Sequence, residues 1–358
     1  MKYQLIKGKE FGQSIATIKE YDDDNYCDIF ATKLKFTDEV APKGIELTDL
    51  SNDFDGSIVG WVDGDTYKVS TQTKGQKVIF NEDCKNMFGM FEYEDFGEIH
   101  RIFKEIDFAM IDTSHVKDMS EMFNDCFHLK ELDLSGFDTS KVEDMSSMFD
   151  RCRKLKELDL SNFDTSQVKY MNEMFDWCGN LRELDLSHFD TSKVEDMNRM
   201  FAWCERLTKL DLRNFDTSNV TDMSGMFLGC EKIQELNLSG FDTSKVTNMS
   251  NLFWRCHGLE SLDLSSFNTS QVKYMNGMFE WCVNLRELDL SHFDTSNVEE
   301  MQKMFSGCEN LKDKQLKNIY EEWMASRQNQ VYPDINPKNL KMSKGKEMQK
   351  EKDIDKEN

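Results

Sequence analysis

The stretch Phe163-Asp-Thr-Ser-Gln-Val-Lys-Tyr-Met-Asn-Glu-Met-Phe-Asp-Trp-Cys-Gly-Asn-Leu-Arg-Glu-Leu-Asp-Leu-Ser-His188 is the unit from which this chain is built. The unit recurs with changes from Ile111 to near Asn318. Its period is visible in one residue type, since eight cysteines follow one another at intervals of 26 residues: Cys126, Cys152, Cys178, Cys204, Cys230, Cys256, Cys282 and Cys308. A fixed period in this range is typical of a solenoid.

Two periodicities lie within each unit. Apolar and polar residues alternate around Leu184 and Leu186, which predicts a strand with one buried face and with Glu183 and Asp185 pointing outward. The spacings between Val168, Met171, Met174, Phe175 and Cys178 are 3, 3, 1 and 3 residues, which predicts one buried face of a helix. Each repeat is therefore expected to be a strand, a turn and a helix.

The Phe-Asp-Thr-Ser segment between strand and helix contains turn and N-cap residues. Ser140 is followed three residues later by Glu143, which is capping-box spacing. Ser192 with Glu195 and Ser296 with Glu299 have the same spacing. We expect the helix to start here and the aspartates of these turns to cap the backbone. They are Asp138, Asp164, Asp190, Asp216, Asp242 and Asp294, with Asn268 in the same role.

The recurring pattern Leu-x-x-Leu-Asp-Leu-Ser-x-Phe-Asp-Thr-Ser-x-Val-x-x-Met-x-x-Met-Phe-x-x-Cys resembles the repeat of the BspA-like leucine-rich-repeat surface proteins of bacteria. The resemblance covers roughly residues 84–312. It implies an α/β repeat fold: a curved, right-handed leucine-rich-repeat solenoid with a parallel sheet on the concave side and helices on the convex side. It also implies a role in adhesion or host contact at the cell surface.

The chain outside the array is expected to cap it. Asp63-Gly64 between two β-prone runs predicts a hairpin. The expected organisation is a poorly defined region at 1–56, a β cap and divergent first repeat at 57–110, about eight repeats at 111–312, a C-terminal capping helix at 313–328 and a disordered tail at 329–358. The units at 163–188 and 267–292 are closely similar, which indicates a block of four repeats present twice.

Composition excludes several classes of protein. The formal net charge of −23 argues against nucleic acid and anionic membranes as partners. No run of 18 apolar residues predicts a membrane span, and the N-terminus has no apolar segment typical of a secretory signal. The N-terminus thus favours the cytoplasm or an unusual export route, whereas the resemblance favours the surface. The eight periodic cysteines are expected to be buried thiols, too far apart for disulfides if they lie on neighbouring helices. Cys27 and Cys84 receive no assignment.

The outward strand positions form three columns, in which we expect the binding face. The first is Glu131, Glu157, Glu183, Lys209, Glu235, Ser261 and Glu287; the second is Asp133, Asp159, Asp185, Asp211, Asn237, Asp263 and Asp289; the third is Ser135, Ser161, Ser187, Arg213, Ser239, Ser265 and Ser291. One hypothesis is an anionic groove for a cationic protein partner or divalent ions. The alternative is a solvated acidic ladder without a ligand.

A second candidate surface is aromatic. Tyr170 and Trp177 are expected off the core face of one helix, Tyr274 and Trp281 repeat the pair, and Trp203 follows Trp177 by one repeat. Exposed Tyr and Trp suit interfaces and sugars, although packing between neighbouring repeats is the alternative.

No catalytic signature or phosphate loop is present. We therefore expect no enzyme activity, no catalytic residues, no metal site and no cofactor. The expected function is a monomeric protein-interaction module, by resemblance an adhesin. The alternatives are an intracellular scaffold or effector and a carbohydrate-binding protein.

Overall fold

The structure is a computed structural model that describes residues 2–15, 18–19, 28–29, 31–89, 91–93, 97–99 and 103–311. In these ranges it contains one helix, α1 (Gly8–Ile15), and short strands. The strands are β1 (Ile18–Lys19), β2 (Asp28–Ile29), β3 (Lys33–Thr37), β4 (Thr48–Asp49), β5 (Val59–Asp63), β6 (Thr66–Ser70), β7 (Val78–Ile79), β8 (Phe91–Tyr93), β9 (Gly97–Ile99), β10 (Glu105–Asp107), β11 (Ile111–Asp112), β12 (Lys209–Asp211), β13 (Glu235–Asn237), β14 (Ser261–Leu262) and β15 (Glu287–Leu288).

A five-stranded mixed sheet forms the N-terminal part of the fold. Its strand order is β10-β3-β6-β5-β4. Strands β5 and β6 form an antiparallel hairpin whose turn contains Gly64 in the left-handed region (φ 63°), so the predicted hairpin is confirmed. Strand β7 pairs in parallel with β11, which connects this N-terminal part to the first repeat.

The repeats lie side by side through a ladder of parallel bridges. Asp118 pairs with Asp144, Asp144 with Tyr170, and Tyr170 with Asp196. The ladder starts at Asp83 and continues to Glu300. Each step from Asp118 onward advances the chain by 26 residues, so equivalent side chains of successive repeats are neighbours.

The segment predicted to be a helix is instead a run of turns. Glu173, Phe175 and Trp177 donate their backbone N–H groups to carbonyl oxygens of the next repeat at 2.8, 2.9 and 2.8 Å. The residues between them bond within the segment: the N–H of Met174 reaches the carbonyl of Met171, three residues back. Half of the backbone N–H groups thus donate to the neighbouring repeat. In an α-helix, these groups would donate to carbonyl oxygens of the same segment.

Residues whose backbone adopts the left-handed conformation, with positive φ, produce these turns. Glu173 and Trp177 have φ values of 58° and 57°, a conformation that interrupts a right-handed helix. Equivalent positions repeat this in every unit, either with glycine, as at Gly225 and Gly229, or with larger residues, as at Ser147. The buried spacing of 3, 3, 1 and 3 residues fits successive turns as well as it fits a helix, which is why the sequence pattern was misleading.

The predicted leucine-rich-repeat solenoid, with a concave sheet and convex helices, is therefore wrong. Within the described ranges, α1 is the only helix, and the strands along the repeats form separate two-stranded sheets, β12 with β13 and β14 with β15. The capping-box interpretation of Ser140 and Glu143 is wrong for the same reason, because no helix starts there. The expected C-terminal helix (313–328) and tail (329–358) lie outside the described residues.

The prediction of which side chains are buried is confirmed. Met171, Met174, Phe175 and Cys178 have no exposed surface, and the phenylalanines of this column stack from repeat to repeat. Phe175 and Phe201, for example, lie with their ring centroids 5.7 Å apart. One apolar core thus runs through the repeats, and it also includes side chains of the N-terminal sheet and α1.

The cysteines of the column are buried free thiols, as predicted, but the reason given from sequence is wrong. Neighbouring repeats pair as strands do, at about 4.8 Å, so distance alone does not prevent disulfides, whose Cα atoms are about 4.4–6.8 Å apart. Instead, each thiol is buried and bonded: Cys178 Sγ donates to the carbonyl oxygen of Phe149 at 3.1 Å. Cys84 is a buried thiol too, whereas Cys27 lies outside the described residues.

Candidate functional site

The outward columns lie on one exposed surface, which we call the acidic face. It consists of Glu131, Asp133, Glu157, Asp159, Glu183, Asp185, Lys209, Asp211, Arg213, Asp263, Glu287 and Asp289. All are exposed except Asp211, which is half-buried. The register pairs Lys209 with Glu235 and Ser261 with Glu287, so at these repeats the columns run as predicted from the 26-residue period.

The aspartate column has a structural role in addition to its charge. The backbone N–H of Ser161 donates to Asp159 Oδ1 at 2.9 Å, and Ser187 and Ser265 make the same bond to Asp185 and Asp263. These hydrogen bonds lower the pKa of the aspartates by stabilising their ionised form. Each aspartate therefore closes the turn that directly follows it.

The glutamate column has no comparable role. Within the described part of the chain, the carboxylates of Glu157, Glu183 and Glu287 accept no hydrogen bond and form no ion pair, and all three are exposed. Their charge is available to solvent or to a partner. Substitution of these glutamates therefore tests binding without removing a turn hydrogen bond, unlike substitution of the aspartates.

The side-chain charge of the columns changes from negative to positive in the middle of the array. Lys209 Nζ lies 3.1 Å from Glu235 Oε2, and an Arg213 guanidinium nitrogen lies 2.5 Å from Asp211 Oδ2. A shallow depression of about 340 Å³ surrounds these residues and extends to Asp263. The face is thus acidic on both sides of an internally paired centre.

A basic neighbour of the acidic face was not anticipated from the sequence. Lys130, Lys156, Arg182 and Arg286 each precede a glutamate of the column, and all are exposed. Arg286 lies 3.6 Å from Glu260. The alternation Lys/Arg-Glu was the available signal. These basic residues reduce the negative charge of the face. The net charge nonetheless stays negative in every repeat except the one that contains Lys209 and Arg213.

The turn aspartates are placed as predicted. The backbone N–H of Ser140 donates to Asp138 Oδ1 at 3.0 Å. The same bond to the residue two positions earlier recurs at Asp164, Asp190, Asp216, Asp242, Asn268 and Asp294. Their role as backbone caps is confirmed, although they close a turn and do not start a helix.

The aromatic candidates split into two groups. Trp177 and Trp203 are half-buried and stacked, with centroids 4.7 Å apart, and the Arg153 guanidinium lies 4.9 Å from the Trp177 ring. Trp203 also lies against Gly229, and Trp281 against Gly307. These contacts cover part of the ring surface that a sugar would need, which counts against the carbohydrate alternative and agrees with packing between repeats.

Tyr170 and Tyr274 lie elsewhere, in the column of bridging residues that also contains Asp144 and Asp196. Tyr170 is 41% exposed and Tyr274 is half-buried. The structure therefore does not gather the five predicted aromatic residues into one platform.

The described ranges contain no group of three or more His, Cys, Asp or Glu side chains arranged to hold a metal ion. In the same ranges, no helix has the length and apolar character needed to cross a membrane.

Comparison with known proteins identifies a matching family. The protein family DUF285, described as "Mycoplasma protein of unknown function", matches residues 82–209, 156–240 and 230–332. No curated protein and no solved structure matches the chain. The resemblance to BspA-like proteins stays a prediction. The three overlapping matches cover the repeats and most of the chain, so this is a repeat protein that belongs to the DUF285 family.

Proposed function

We propose that this protein is a non-enzymatic interaction module that binds a cationic protein partner through its acidic face. The observation that carries the proposal is the glutamate column, in which exposed carboxylates recur and several of them have no hydrogen-bond or ion-pair partner among the described residues. Glu157 and Glu183 occupy equivalent positions of adjacent repeats and bond to nothing in the described part of the chain.

Electrostatics favours a positively charged partner. Carboxylates at equivalent positions of paired repeats lie about 5 Å apart. At an effective dielectric constant between about 20 and 80, each such pair costs roughly 0.8–3 kcal/mol in repulsion. Lysine or arginine side chains placed along the column would relieve this repulsion, and a rigid row of charges would steer such a partner toward the face.

The resemblance to BspA-like surface proteins supports a finer proposal, in which the partner belongs to a host or a neighbouring cell. An intracellular scaffold or effector is the alternative. Protease treatment of intact native cells followed by immunoblotting distinguishes the two. Loss of the protein supports the surface role, whereas full protection directs the search to partners within the cell.

The binding proposal is tested by reversing the glutamates. We expect the triple variant Glu157→Lys, Glu183→Lys and Glu287→Lys to bind a polylysine peptide at least tenfold more weakly in titration calorimetry, a loss of about 1.4 kcal/mol or more. Glutamates are preferable to Asp159, Asp185 and Asp263, because reversing the aspartates would also remove the turn hydrogen bonds from Ser161, Ser187 and Ser265.

The matched control is Glu46→Lys, Glu195→Lys and Glu309→Lys, which makes the same change in net charge at exposed positions off the face. The control should retain most of the affinity. Equal losses in both triple variants would mean that polylysine responds to net charge alone, and the acidic face would then not be the binding surface.

A further inference from the structure

Two carboxylates are buried on the turn side of the repeats, away from the acidic face. Asp150 and Asp176 directly follow the stacked residues Phe149 and Phe175 and occupy equivalent positions of adjacent repeats. Only 9% of Asp150 and 4% of Asp176 is exposed. Backbone hydrogen bonds on either side, such as Arg151 N–H to the Asp176 carbonyl at 2.8 Å, hold the two residues side by side.

Each carboxylate has one satisfied and one unsatisfied oxygen. Asp150 Oδ2 accepts from Asn124 Nδ2 at 3.0 Å, and Asp176 Oδ2 accepts from Arg199 Nε and Nη2 at 2.9 and 2.7 Å. The Oδ1 atoms of both aspartates are inaccessible and accept no hydrogen bond from any residue that the structure describes. A buried ionised oxygen without a donor costs free energy.

The surrounding charges do not compensate for both carboxylates. Arg199 pairs with Asp176 and also lies 3.8 Å from Glu173, while Arg151 lies 3.8 Å from Asp150 and 3.5 Å from Asp125. Ser147 donates to Glu173. Four acidic groups, the two aspartates of the pair with Glu173 and Asp125, thus face two arginines. A proton on either Oδ1 atom would neutralise one of the negative charges that the arginines leave unbalanced.

We propose that the Asp150–Asp176 pair is not fully ionised near neutral pH, and that its ionisation loosens the contact between their two repeats. The pKa values agree with this geometry. Burial, followed by repulsion from Asp176, raises the pKa of Asp150 to about 7, and burial raises the pKa of Asp176 to about 6. Because the two groups interact, they titrate as a pair.

The direction of the effect follows from proton linkage. An aspartate in the unfolded chain has a pKa near 3.8, so between that value and about 7 the folded state binds more protons than the unfolded state. Stability contributed by the pair is therefore fully present below about pH 4 and is lost as the pH rises through about 6 to 7.

The duplicated half of the array supplies an internal control. The residues 104 positions later are Trp254 and Glu280, so the second block has one acidic residue where the first has two. Loosening that arises from the pair should affect residues 146–178 more strongly than residues 250–282.

Hydrogen exchange of the full chain, measured by mass spectrometry at pH 5 and pH 8 and corrected for intrinsic rates, tests this. We expect protection in 146–178 to fall on the order of 10-fold or more at pH 8, with a smaller change in 250–282. The variant Asp150→Asn should sharply reduce the difference, because an amide stays neutral and only Asp176 then titrates; the equivalent position of the preceding repeat already holds Asn124. Asp159→Asn, on the acidic face, should leave the difference intact.

Equal changes in the two segments, or an unchanged difference in Asp150→Asn, would overturn the proposal. Carbon NMR of the side-chain carboxyl groups provides a direct second reading in the native protein. Titration of both carboxyl carbons above pH 5 supports shared protonation, and titration of both below pH 5 contradicts it.

Discussion

Single residues in the left-handed region determine the path of each repeat. Arg151, Trp177 and Trp203 have φ values between 56° and 59°, and Gly229 at the next equivalent position has 71°. A large side chain in this region costs about 1–2 kcal/mol. The hydrogen bonds that Trp177 and Trp203 donate to the next repeat accompany this conformation in the folded array.

Gly229 is a left-handed position where a side chain would also meet a neighbouring ring. A Cβ there would lie 2.6 Å from a ring carbon of Trp203, which is rigid and already stacked on Trp177. We expect Gly229→Ala to lower the free energy of unfolding by roughly 2–4 kcal/mol, measured by urea denaturation.

Gly225→Ala is the control for backbone strain alone. Gly225 is also left-handed (φ 61°), but its nearest neighbour would be the flexible Arg199 side chain at 3.3 Å. We expect a cost of about 1 kcal/mol there. If the two variants are destabilised equally, the stacked tryptophans do not require a glycine at 229.

At the scale of the element, a ladder of buried threonines joins each turn to the next repeat. Thr165 Oγ1 accepts from the backbone N–H of Asp190 at 2.8 Å and donates to the Asp190 carbonyl at 2.9 Å. Thr139 does the same with Asp164. One hydroxyl thus satisfies both backbone groups of a residue that lies outside any strand, which explains why the Phe-Asp-Thr-Ser turn needs threonine.

Thr165→Val removes both bonds while keeping the shape of the side chain. We expect a loss of roughly 2–3 kcal/mol in unfolding free energy, because a backbone donor and acceptor lose their partner in a site where Thr165 is only 2% exposed. Thr221→Val, at an exposed hydroxyl with one long bond of 3.4 Å to the Glu195 carbonyl, should cost less than about 0.5 kcal/mol. Similar losses in both thermal melts would contradict the ladder's role.

At the scale of the whole molecule, the fold is a stack of repeats, and each repeat contacts the next in the same register. Bridges, backbone bonds and ring stacking all join residues about one repeat apart. Stability in such an array is close to a sum over units and their interfaces. We therefore expect the fold to tolerate a change in the number of repeats better than a change in the length of one repeat.

Removal of one complete unit should be tolerated. We expect deletion of residues 189–214, which joins His188 to Phe215 in phase, to leave a protein that unfolds cooperatively with near-native aromatic circular dichroism. Deletion of residues 189–201, half a unit, should abolish that signal, because it brings core positions opposite surface positions. Comparable melts for the two deletions would refute the register.

Much of the acidic face could be predicted from the sequence. A period of 26 residues places Glu157 beside Glu183 whatever the local conformation, and alternation places both outside. The buried pair Asp150 and Asp176 could not be predicted, because its environment depends on Arg199 and Asn124 from the flanking repeats.

The amino-acid sequence by itself determined the length of the repeat, its buried side chains and the turn aspartates such as Asp138. These depend on hydrophobicity and on hydrogen bonds between near neighbours. Only the tertiary structure decided that Met171–Cys178 forms turns in place of a helix. The buried spacing suits both, and the choice depends on hydrogen bonds from Glu173 and Phe175 to the next repeat, a partner that a single segment does not contain.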